Sequence, residues 1–508
     1  MIMSKSTSAP IGIRSLGVSF PQVIRTNDYW QQKYPEMVRS SPQRNRSNRA
    51  VRSSHEDNGY DLWSQEVAPY LSDPFRGNVE RRVLGLDESS LDLQCQAATE
   101  ALLAAKLDVE EIDVAIVASL FADNLGMDNT TLLAQKLGLN CPAWNLESTC
   151  SSALVALQNA RALIQTEEYQ NALVIVAHFG SNTVREKDTL AWSMGDGAGA
   201  LIVDRLKPNQ GVLANKIVST AATYGAYHHQ LELDEVGKPR IVTQTGENAS
   251  SLAETAVDFV RTCCQEAAVK AGVSLAEIDF WVFNTPTPWY ANVCTRALDI
   301  EPERTINLYS HYGNIGAVFP LANLYHAAKE KKIAENSLVL VYTNGASATA
   351  AATIMRWGDV ALGTAPAPSI SDRPTTIELQ EIKPRDDTEQ KLSLPKILAA
   401  PPEQQQQVLA SYLITWLANS LQLLPHEIEP ELPLIMWLDS LMAFSLKSRI
   451  ETDLEISIPI KNFLGENNLT DLTQLILDRI TLSNLAIFPS VNSHEISERE
   501  TDRETMSL

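Results

Sequence analysis

The sequence predicts an α/β protein built from two related halves, joined by a linker to a small helical domain. Three observations predict this arrangement: one segment recurs within the chain, continuous apolar runs alternate with helical patterns, and stripes of apolar residues follow a proline-rich stretch. At 508 residues, the chain is also longer than one ordinary hydrophobic core supports.

The internal repeat pairs residues 96–119 with residues 262–285, without gaps. Each copy predicts a helix, a short acidic turn and a strand-length apolar run, and continuous apolar runs of this kind are typical of buried strands in layered α/β folds. We interpret the match as a duplication rather than chance similarity. The matching residues include Glu100 and Glu266, Ala101 and Ala267, Glu111 and Glu277, Ile112 and Ile278, and Asp113 and Asp279.

The composition changes beyond the second half. The predicted domains are residues 1–209 and 210–363 for the two halves, 364–403 for a proline-rich linker, 404–481 for a helical domain and 482–508 for a disordered tail. The helical domain has 10 acidic and 4 basic residues and is therefore acidic. Its predicted stripes are Leu409, Leu413, Trp416 and Ser420/Leu421, then Met442, Leu446, Ile450 and Leu454, then Leu472, Leu475/Ile476 and Ile480.

The bulk properties exclude several classes of protein. A formal net charge of −21 argues against general binding to nucleic acid or to an anionic membrane surface. The apolar runs are too short to span a bilayer, and no secretory signal is present at the start. Six cysteines without a CxxC pair predict neither a disulfide framework nor a metal site. We therefore expect a cytoplasmic protein without a metal.

Cys150 is the candidate nucleophile. It precedes a predicted helix whose first positions are small residues, which would let the helix lie deep between layers. A helix start presents free N–H groups and a positive dipole end, which would lower the pKa of the thiol and favour the thiolate. A thiolate can take an acyl group from one thioester and pass it to another. The alternative is a buried cysteine that only packs.

Five segments resemble the β-ketoacyl synthase III branch of the thiolase superfamily, in the family's order, over about residues 12–363. The resemblance implies a five-layered αβαβα thiolase-like fold of two repeated halves, and a homodimer. The glycine-rich segment 193–200 precedes an apolar run, so we interpret it as a tight turn at the active site rather than a phosphate loop. The segments are residues 11–21, the cysteine region 145–154, residues 193–200, residues 312–317 and residues 342–358.

The resemblance also implies partners for the cysteine. Asn314 matches the family's catalytic Asn, whereas Asn284 occupies the position of its catalytic His. An amide can donate a hydrogen bond to an oxyanion but cannot act as an acid or base near neutral pH. This departure puts decarboxylative condensation in doubt more than acylation of the thiol. Among other histidines that could substitute, which include His178 and His228–His229, we favour His311 because it lies three residues before Asn314.

Ser440 is the candidate modification site of the helical domain. Asp439 and Ser440 follow one predicted helix and begin another, in an acidic bundle beyond a linker. This arrangement resembles the acyl carrier domains of modular polyketide synthases, although Trp437 stands where those domains usually have Gly. The resemblance implies a four-helix bundle with covalent 4'-phosphopantetheine on Ser440, added by a phosphopantetheinyl transferase. An ordinary helix cap is the alternative.

The linker would let the carrier reach the enzyme. Treated as a flexible coil it spans roughly 35 Å, which gives an effective concentration on the order of millimolar. A basic stretch could dock the carrier or a coenzyme A phosphate, or could be an exposed loop without a partner. Its residues are Arg39, Arg44, Arg46, Arg49 and Arg52.

The sequence thus predicts an acyltransferase of the β-ketoacyl synthase III type, in polyketide or fatty-acid biosynthesis, with a fused carrier domain. Its expected partners are acyl thioesters of coenzyme A or carrier protein and other polyketide synthase or carrier proteins. One alternative is a decarboxylative 3-oxoacyl synthase or a 3-hydroxy-3-methylglutaryl synthase-like condensing enzyme. Another is a carrier module with an inactive synthase-like scaffold for dimerisation.

Overall fold

The computed structural model describes residues 9–40, 59–70, 73–124, 127–233, 239–364, 394–421, 424–438, 440–454, 456–459, 461–464 and 467–485. These fall into two compact units, one within residues 1–387 and 419–424, the other within residues 388–418 and 425–508. Most of the predicted linker, the end of the predicted tail, Asp439 and the arginines from Arg44 to Arg52 lie outside the described residues. The domain boundaries therefore stay predictions.

Strands and helices alternate through the first unit, and the second unit is helical. The strands are β1 (Ile11–Ser19), β2 (Val23–Thr26), β3 (Glu80–Val83), β4 (Ala115–Leu120), β5 (Ala143–Asn145), β6 (Ala172–Phe179), β7 (Asp196–Arg205), β8 (Gly211–Ser219), β9 (Tyr227–Leu233), β10 (Pro239–Thr245), β11 (Phe280–Phe283), β12 (Leu338–Asn344), β13 (Thr349–Arg356) and β14 (Ala361–Leu362). The helices are α1 (Asn27–Lys33), α2 (Pro35–Ser40), α3 (Gly59–Val67), α4 (Ser90–Ala105), α5 (Met127–Leu137), α6 (Ser152–Gln165), α7 (Ser251–Ala271), α8 (Tyr290–Leu298), α9 (Tyr309–Tyr312), α10 (Phe319–Lys329), α11 (Leu394–Leu398), α12 (Pro402–Leu421), α13 (Ser440–Leu454), α14 (Lys461–Leu464) and α15 (Leu469–Leu485).

Two mixed sheets form the framework of the first unit. The larger has the order β14-β1-β7-β6-β4-β5, and the smaller has the order β11-β12-β13-β8. In the larger sheet β4 runs parallel to β6, β6 antiparallel to β7, and β7 antiparallel to β1. The smaller sheet repeats this pattern with β11, β12, β13 and β8. The two halves therefore share one topology.

The repeat found in the sequence has the same local structure in both copies. In the first copy, between α4 and β4, the Glu111 carboxylate accepts a hydrogen bond from the backbone N–H of Asp108 at 2.8 Å. In the second copy, between α7 and β11, the Glu277 carboxylate accepts from the N–H of Ser274 at 2.7 Å. Each bond closes a one-turn capping box. The predicted duplication is confirmed.

Helix α6 lies deep in the first unit, as its small residues predicted. It packs on β4, β6 and β7 of the larger sheet and also on β13 of the smaller one. Ala153, Ala156 and Ala160 are all buried, and β6 beneath them is buried along its whole length. Alanines at these buried positions let the helix approach both sheets closely, so its first turn is brought to the meeting point of the two halves.

The second unit is built from helices α11 to α15. The predicted second stripe, on α13, is buried in full, and Leu472, Ile476 and Ile480 are buried on α15. On α12 the predicted Leu409 and Leu413 are buried, whereas Trp416 is only half-buried and its neighbour Leu417 is buried instead, so the predicted first stripe was wrong by one residue at Trp416. Helix α11 lies inside the predicted linker, so part of that segment is helical.

Candidate active site

Cys150 lies at the entrance to α6, in a one-turn 3-10 helix spanning Thr149–Ser151. The residue before it, Thr149, has a φ of 47°, in the left-handed region that a β-branched residue rarely adopts. Outliers of this kind cluster at functional sites, where the surrounding structure holds them in place. The strained turn fixes the direction in which the chain enters α6 and thus where the thiol sits.

Hydroxyl groups fasten this turn to the second half of the protein. The Ser148 hydroxyl is 2.7 Å from the hydroxyl of Thr349, and the Ser151 hydroxyl donates to the Thr349 carbonyl at 2.7 Å. The Thr343 hydroxyl in turn donates to the Ser151 oxygen at 3.0 Å. Strands β12 and β13 thus hold the cysteine turn from the opposite half, at positions that the sequence interpretation missed. The only sequence signal for these contacts was the presence of Ser and Thr next to the candidate nucleophile.

Burial raises the pKa of the Cys150 thiol to about 11, a shift that a hydrogen bond from its own backbone N–H partly opposes. The expectation of a lowered pKa at a helix start was therefore wrong. The loss of solvation around the thiol raises its pKa by more than the N–H groups of the short 3-10 turn lower it. The thiol is neutral in the resting site at pH 7. Tyr227, at the start of β9, lies near Cys150. Its pKa is raised to about 12, mainly by burial and further by the negative charge that Cys150 carries when it is a thiolate.

Asn284 follows β11 and is fully buried. Its Oδ1 accepts a hydrogen bond from the backbone N–H of Asn344, at the end of β12, at 2.8 Å. Its Nδ2 is buried without a hydrogen-bond partner. The backbone of β12 thus fixes which end of the amide is free, and the free end is a donor. Buried polar groups without partners are rare and call for an explanation, such as a ligand.

Asn314 is held in a similar way. Its backbone forms an isolated bridge with Met194, and its N–H donates to the carbonyl of Ser193 at 2.5 Å. The side-chain Oδ1 accepts a hydrogen bond from the N–H of Gly316 at 2.9 Å. As with Asn284, a backbone N–H occupies the amide oxygen, which leaves Nδ2 as the group available to donate.

The turn Gly316–Val318, which follows Asn314, packs against the cysteine turn Thr149–Ser151. The cysteine turn also packs against β12, whose last residue holds the Asn284 amide. The structure therefore brings the segments bearing Cys150, Asn284 and Asn314 to one place. A thiol with amide donors suits stabilisation of an oxyanion.

His311 contacts a different part of the protein. Helix α9, which carries it, packs on β3, and the His311 Nδ1 is 3.8 Å from Oε1 of Glu80, a residue of that strand. Both side chains are buried, and burial lowers the pKa of His311. These contacts are with β3 and not with the cysteine turn. They therefore do not support the prediction that His311 replaces the family's imidazole.

The glycine-rich segment 193–200 lies against the chain segment that contains Asn314. Gly195 precedes β7, and a Cβ built on it would lie 1.9 Å from the carbonyl oxygen of Tyr312. Only glycine allows this approach. The segment 196–200 is the first part of β7 rather than a turn, so the predicted tight turn was wrong in extent, although the segment does border the candidate site.

Ser440 is the first residue of α13, a helix of 15 residues. It follows the one-turn 3-10 helix Leu434–Met436 by a few residues, as the sequence predicted for a helix start. Within the described part of the chain, no helix is long and apolar enough to cross a membrane.

Comparison with known families gives two matches. Residues 144–221 match 3-Oxoacyl-[acyl-carrier-protein (ACP)] synthase III, and residues 268–357 match 3-Oxoacyl-[acyl-carrier-protein (ACP)] synthase III C terminal. The first match contains Cys150, and the second contains Asn284 and Asn314. The cysteine turn and both amides therefore lie within matched segments.

Individual relatives agree. Beta-ketoacyl-[acyl-carrier-protein] synthase III of Aquifex aeolicus (strain VF5) is 28% identical over 285 residues, which are 56% of this chain and 89% of that protein. The protein of the same name from Microcystis aeruginosa (strain NIES-843 / IAM M-2473) is 28% identical over 290 residues, 55% of this chain and 86% of its own length.

Solved structures show the same fold. The crystal structure of 3-oxoacyl-[acyl-carrier-protein] synthase III from Aquifex aeolicus VF5 matches with a TM-score of 0.53 and 26% identity, over 68% of this chain and 100% of that chain. Xanthomonas campestris OleA, solved with bound lauric acid and lauroyl-CoA, matches with a TM-score of 0.55 and 17% identity, over 68% and 99%. The first unit therefore has the same fold as these synthase III structures, and its sequence is similar to theirs.

Proposed function

We propose that this chain is an acyltransferase that takes an acyl group from a thioester onto Cys150 and passes it to a second acceptor. The observation that carries the proposal is the orientation of the two amides. A backbone N–H bonds to Oδ1 of both Asn284 and Asn314, which orients each amide and leaves its Nδ2 to donate to a reacting group. A pair of fixed donors fits the oxyanion of a tetrahedral intermediate.

The reaction would proceed in two similar steps. The Cys150 thiol loses its proton to solvent, and its sulfur attacks the acyl carbon. The carbonyl oxygen becomes an oxyanion that accepts hydrogen bonds from Asn284 and Asn314. Collapse of the intermediate breaks the original C–S bond, and the leaving thiolate takes up a proton. In the second step an acceptor with a thiol or hydroxyl attacks acyl-Cys150 and regenerates the thiol.

The missing imidazole limits what the site does next. The family's His both donates a hydrogen bond and can exchange a proton, whereas the Asn284 amide only donates. We propose that acyl transfer is retained and that malonyl decarboxylation is slow. The natural product would then be an ester or a transferred thioester rather than a new carbon–carbon bond.

The second unit would supply the acyl group on a tether. We propose that Ser440 carries 4'-phosphopantetheine, which provides a thiol at the end of a flexible arm. The start of α13 at Ser440 and the buried stripe along that helix support the proposal. The relatives are named for acyl-carrier-protein chemistry, which also suits a carrier thioester as substrate. A polyketide or fatty-acid pathway, a phosphopantetheinyl transferase and a homodimer belong to this proposal.

The decisive experiment is intact-protein mass spectrometry after incubation of the full chain with acyl-coenzyme A. We expect one acyl adduct, which is lost in Cys150→Ala and retained in Cys141→Ser. Cys141 is the matched control because it is half-buried, like Cys150. An adduct that survives in Cys150→Ala would show that the nucleophile is elsewhere. No adduct on the wild-type protein with any acyl chain would favour the inactive scaffold.

A further inference from the structure

His178 is a buried imidazole that the mechanism above does not use. It lies next to the end of β6 and is only 6% exposed. Within the part of the chain that the structure describes, neither ring nitrogen has a hydrogen-bond partner. Leaving a buried polar group without a partner is unfavourable, so an apolar side chain would serve packing better here. The presence of a histidine needs another reason.

Two glycines pack against the imidazole ring, one at each ring nitrogen. A Cβ built on Gly316 would lie 2.3 Å from the His178 Nδ1, and one built on Gly180 would lie 2.6 Å from Nε2. The edge of the Phe121 ring closes a third side, with ring centroids 5.6 Å apart. The imidazole thus fills the space that side chains would otherwise occupy at both glycines, and it fixes the position of their backbone.

Gly316 is the residue that orients Asn314. Its N–H donates the 2.9 Å hydrogen bond to the Asn314 Oδ1, the bond that leaves Nδ2 free to donate. The turn that begins at Gly316 packs on β6 on one side and on the cysteine turn on the other. A shift of Gly316 would therefore move the Asn314 amide relative to the thiol.

We propose that His178 is a positioning residue that holds Gly316, and through it the Asn314 amide, in the orientation that receives the oxyanion. This inference rests on the acyl transfer proposed above. The ring acts as a neutral wedge: burial and the neighbouring His229 lower the pKa of His178 to about 4, so it carries no charge at pH 7. His178 touches the backbone of the oxyanion segment rather than the substrate.

The test compares two reactions of Cys150 in the full chain. Acylation by acyl-coenzyme A needs the oxyanion donors, whereas alkylation by iodoacetamide does not. In His178→Ala we expect acylation to slow by on the order of 10²-fold, the effect of an approximately 1 Å displacement in an active site, while alkylation is unchanged. His178→Gln keeps most of the side-chain volume without the rigid ring, and we expect the same split with an unchanged melting temperature.

A double substitution tests the contact itself. In Gly316→Ala the new methyl group would press on Nδ1 and displace the turn, so acylation should fall. In the double variant His178→Ala, Gly316→Ala the methyl group has room, so acylation should fall by less than the product of the two single effects. His229→Ala, which removes the neighbouring imidazole beyond Phe121, is the matched control and should acylate like the wild type.

Each outcome separates the two proposals. Wild-type rates of acylation in His178→Gln would overturn the positioning role and leave the proposed function intact. A parallel fall of acylation and alkylation would also overturn it, because the ring would then only support the fold. Independent effects in the double variant would refute the contact with Gly316. A wild-type protein that forms no acyl adduct would overturn the proposed function, and with it any role of His178 in acyl transfer.

Discussion

Replacing Asn284 with the family's histidine is the most direct way to test what this site has lost. Asn284→His should allow one ring nitrogen to accept the hydrogen bond that the Asn344 N–H now gives to Oδ1 at 2.8 Å. The other nitrogen would then donate where Nδ2 now points without a partner. The variant keeps the bond to the backbone and adds a group that can exchange a proton.

The size of the effect follows from the two functions of the imidazole. A positioned general acid or base contributes about 10²–10⁴-fold to a rate. The amide already supplies the hydrogen bond, and an enlarged side chain in a packed site costs about 1–3 kcal/mol of stability. We therefore expect malonyl decarboxylation to rise by on the order of 10- to 100-fold, which is at or below the lower limit of that range. Asn284→Leu, which removes the donor, should slow acyl transfer by about 10²–10³-fold.

The assay is release of labelled carbon dioxide from a malonyl carrier thioester, for the wild type and both variants at equal acylation of Cys150. Melting temperatures control for misfolding, because Asn284→Leu also leaves the Asn344 N–H without its acceptor. Rapid decarboxylation by the wild type, unchanged in Asn284→His, would refute the reasoning. It would show that two amide donors are sufficient to stabilise the enolate and that no imidazole is needed.

Three further predictions follow from single sites. The rate of alkylation of Cys150 should increase about tenfold per pH unit from pH 7 to pH 10, because the thiolate fraction grows until the pH reaches a pKa of about 11; a rate that is constant below pH 8 would show a resting thiolate. At pH 9, Cys150 and Cys141, the two half-buried thiols, should be labelled before the four buried ones, as peptide mapping would show. Incubation of the full chain with coenzyme A and a phosphopantetheinyl transferase should add one arm, and its persistence in Ser440→Ala would contradict the carrier assignment.

The fold was predictable because its signals are local and repeated. The capping boxes at Asp108 and Ser274 recur a few residues before a strand in each half, and an apolar run follows each of them. The small residues of α6 likewise predicted a helix packed between two layers. The one-residue error at Trp416 arose because aromatic side chains are large enough to be half-buried beside a stripe as well as within it.

The site was predictable only where a residue carries its own chemistry. Cys150, Asn284 and Asn314 could be found by comparison with a motif, but the pKa of the thiol depends on burial by residues far away in the chain. The hydroxyl groups of Thr343 and Thr349 hold the cysteine turn from positions 192 and 201 residues further along the chain. Hydrogen bonds between such distant residues leave no periodic pattern in the sequence from which they could be predicted. His311 was chosen for its closeness in sequence to Asn314, yet it lies within α9 beside Glu80, whereas Asn314 follows the end of that helix and forms a bridge with Met194.

Asn284 does more than lack the proton chemistry of the family's histidine. An apolar replacement would leave the Asn344 N–H without an acceptor, whereas the amide accepts that bond and still presents a donor. In the proposed mechanism the site supplies oxyanion donors through Asn284 and Asn314, neither of which can exchange a proton. A thiol with a pKa of about 11 reacts slowly, and a tethered donor at an effective concentration on the order of millimolar would offset slow chemistry by keeping the site occupied. The two proposals therefore support each other: the tether would deliver the acyl group that Cys150 would transfer.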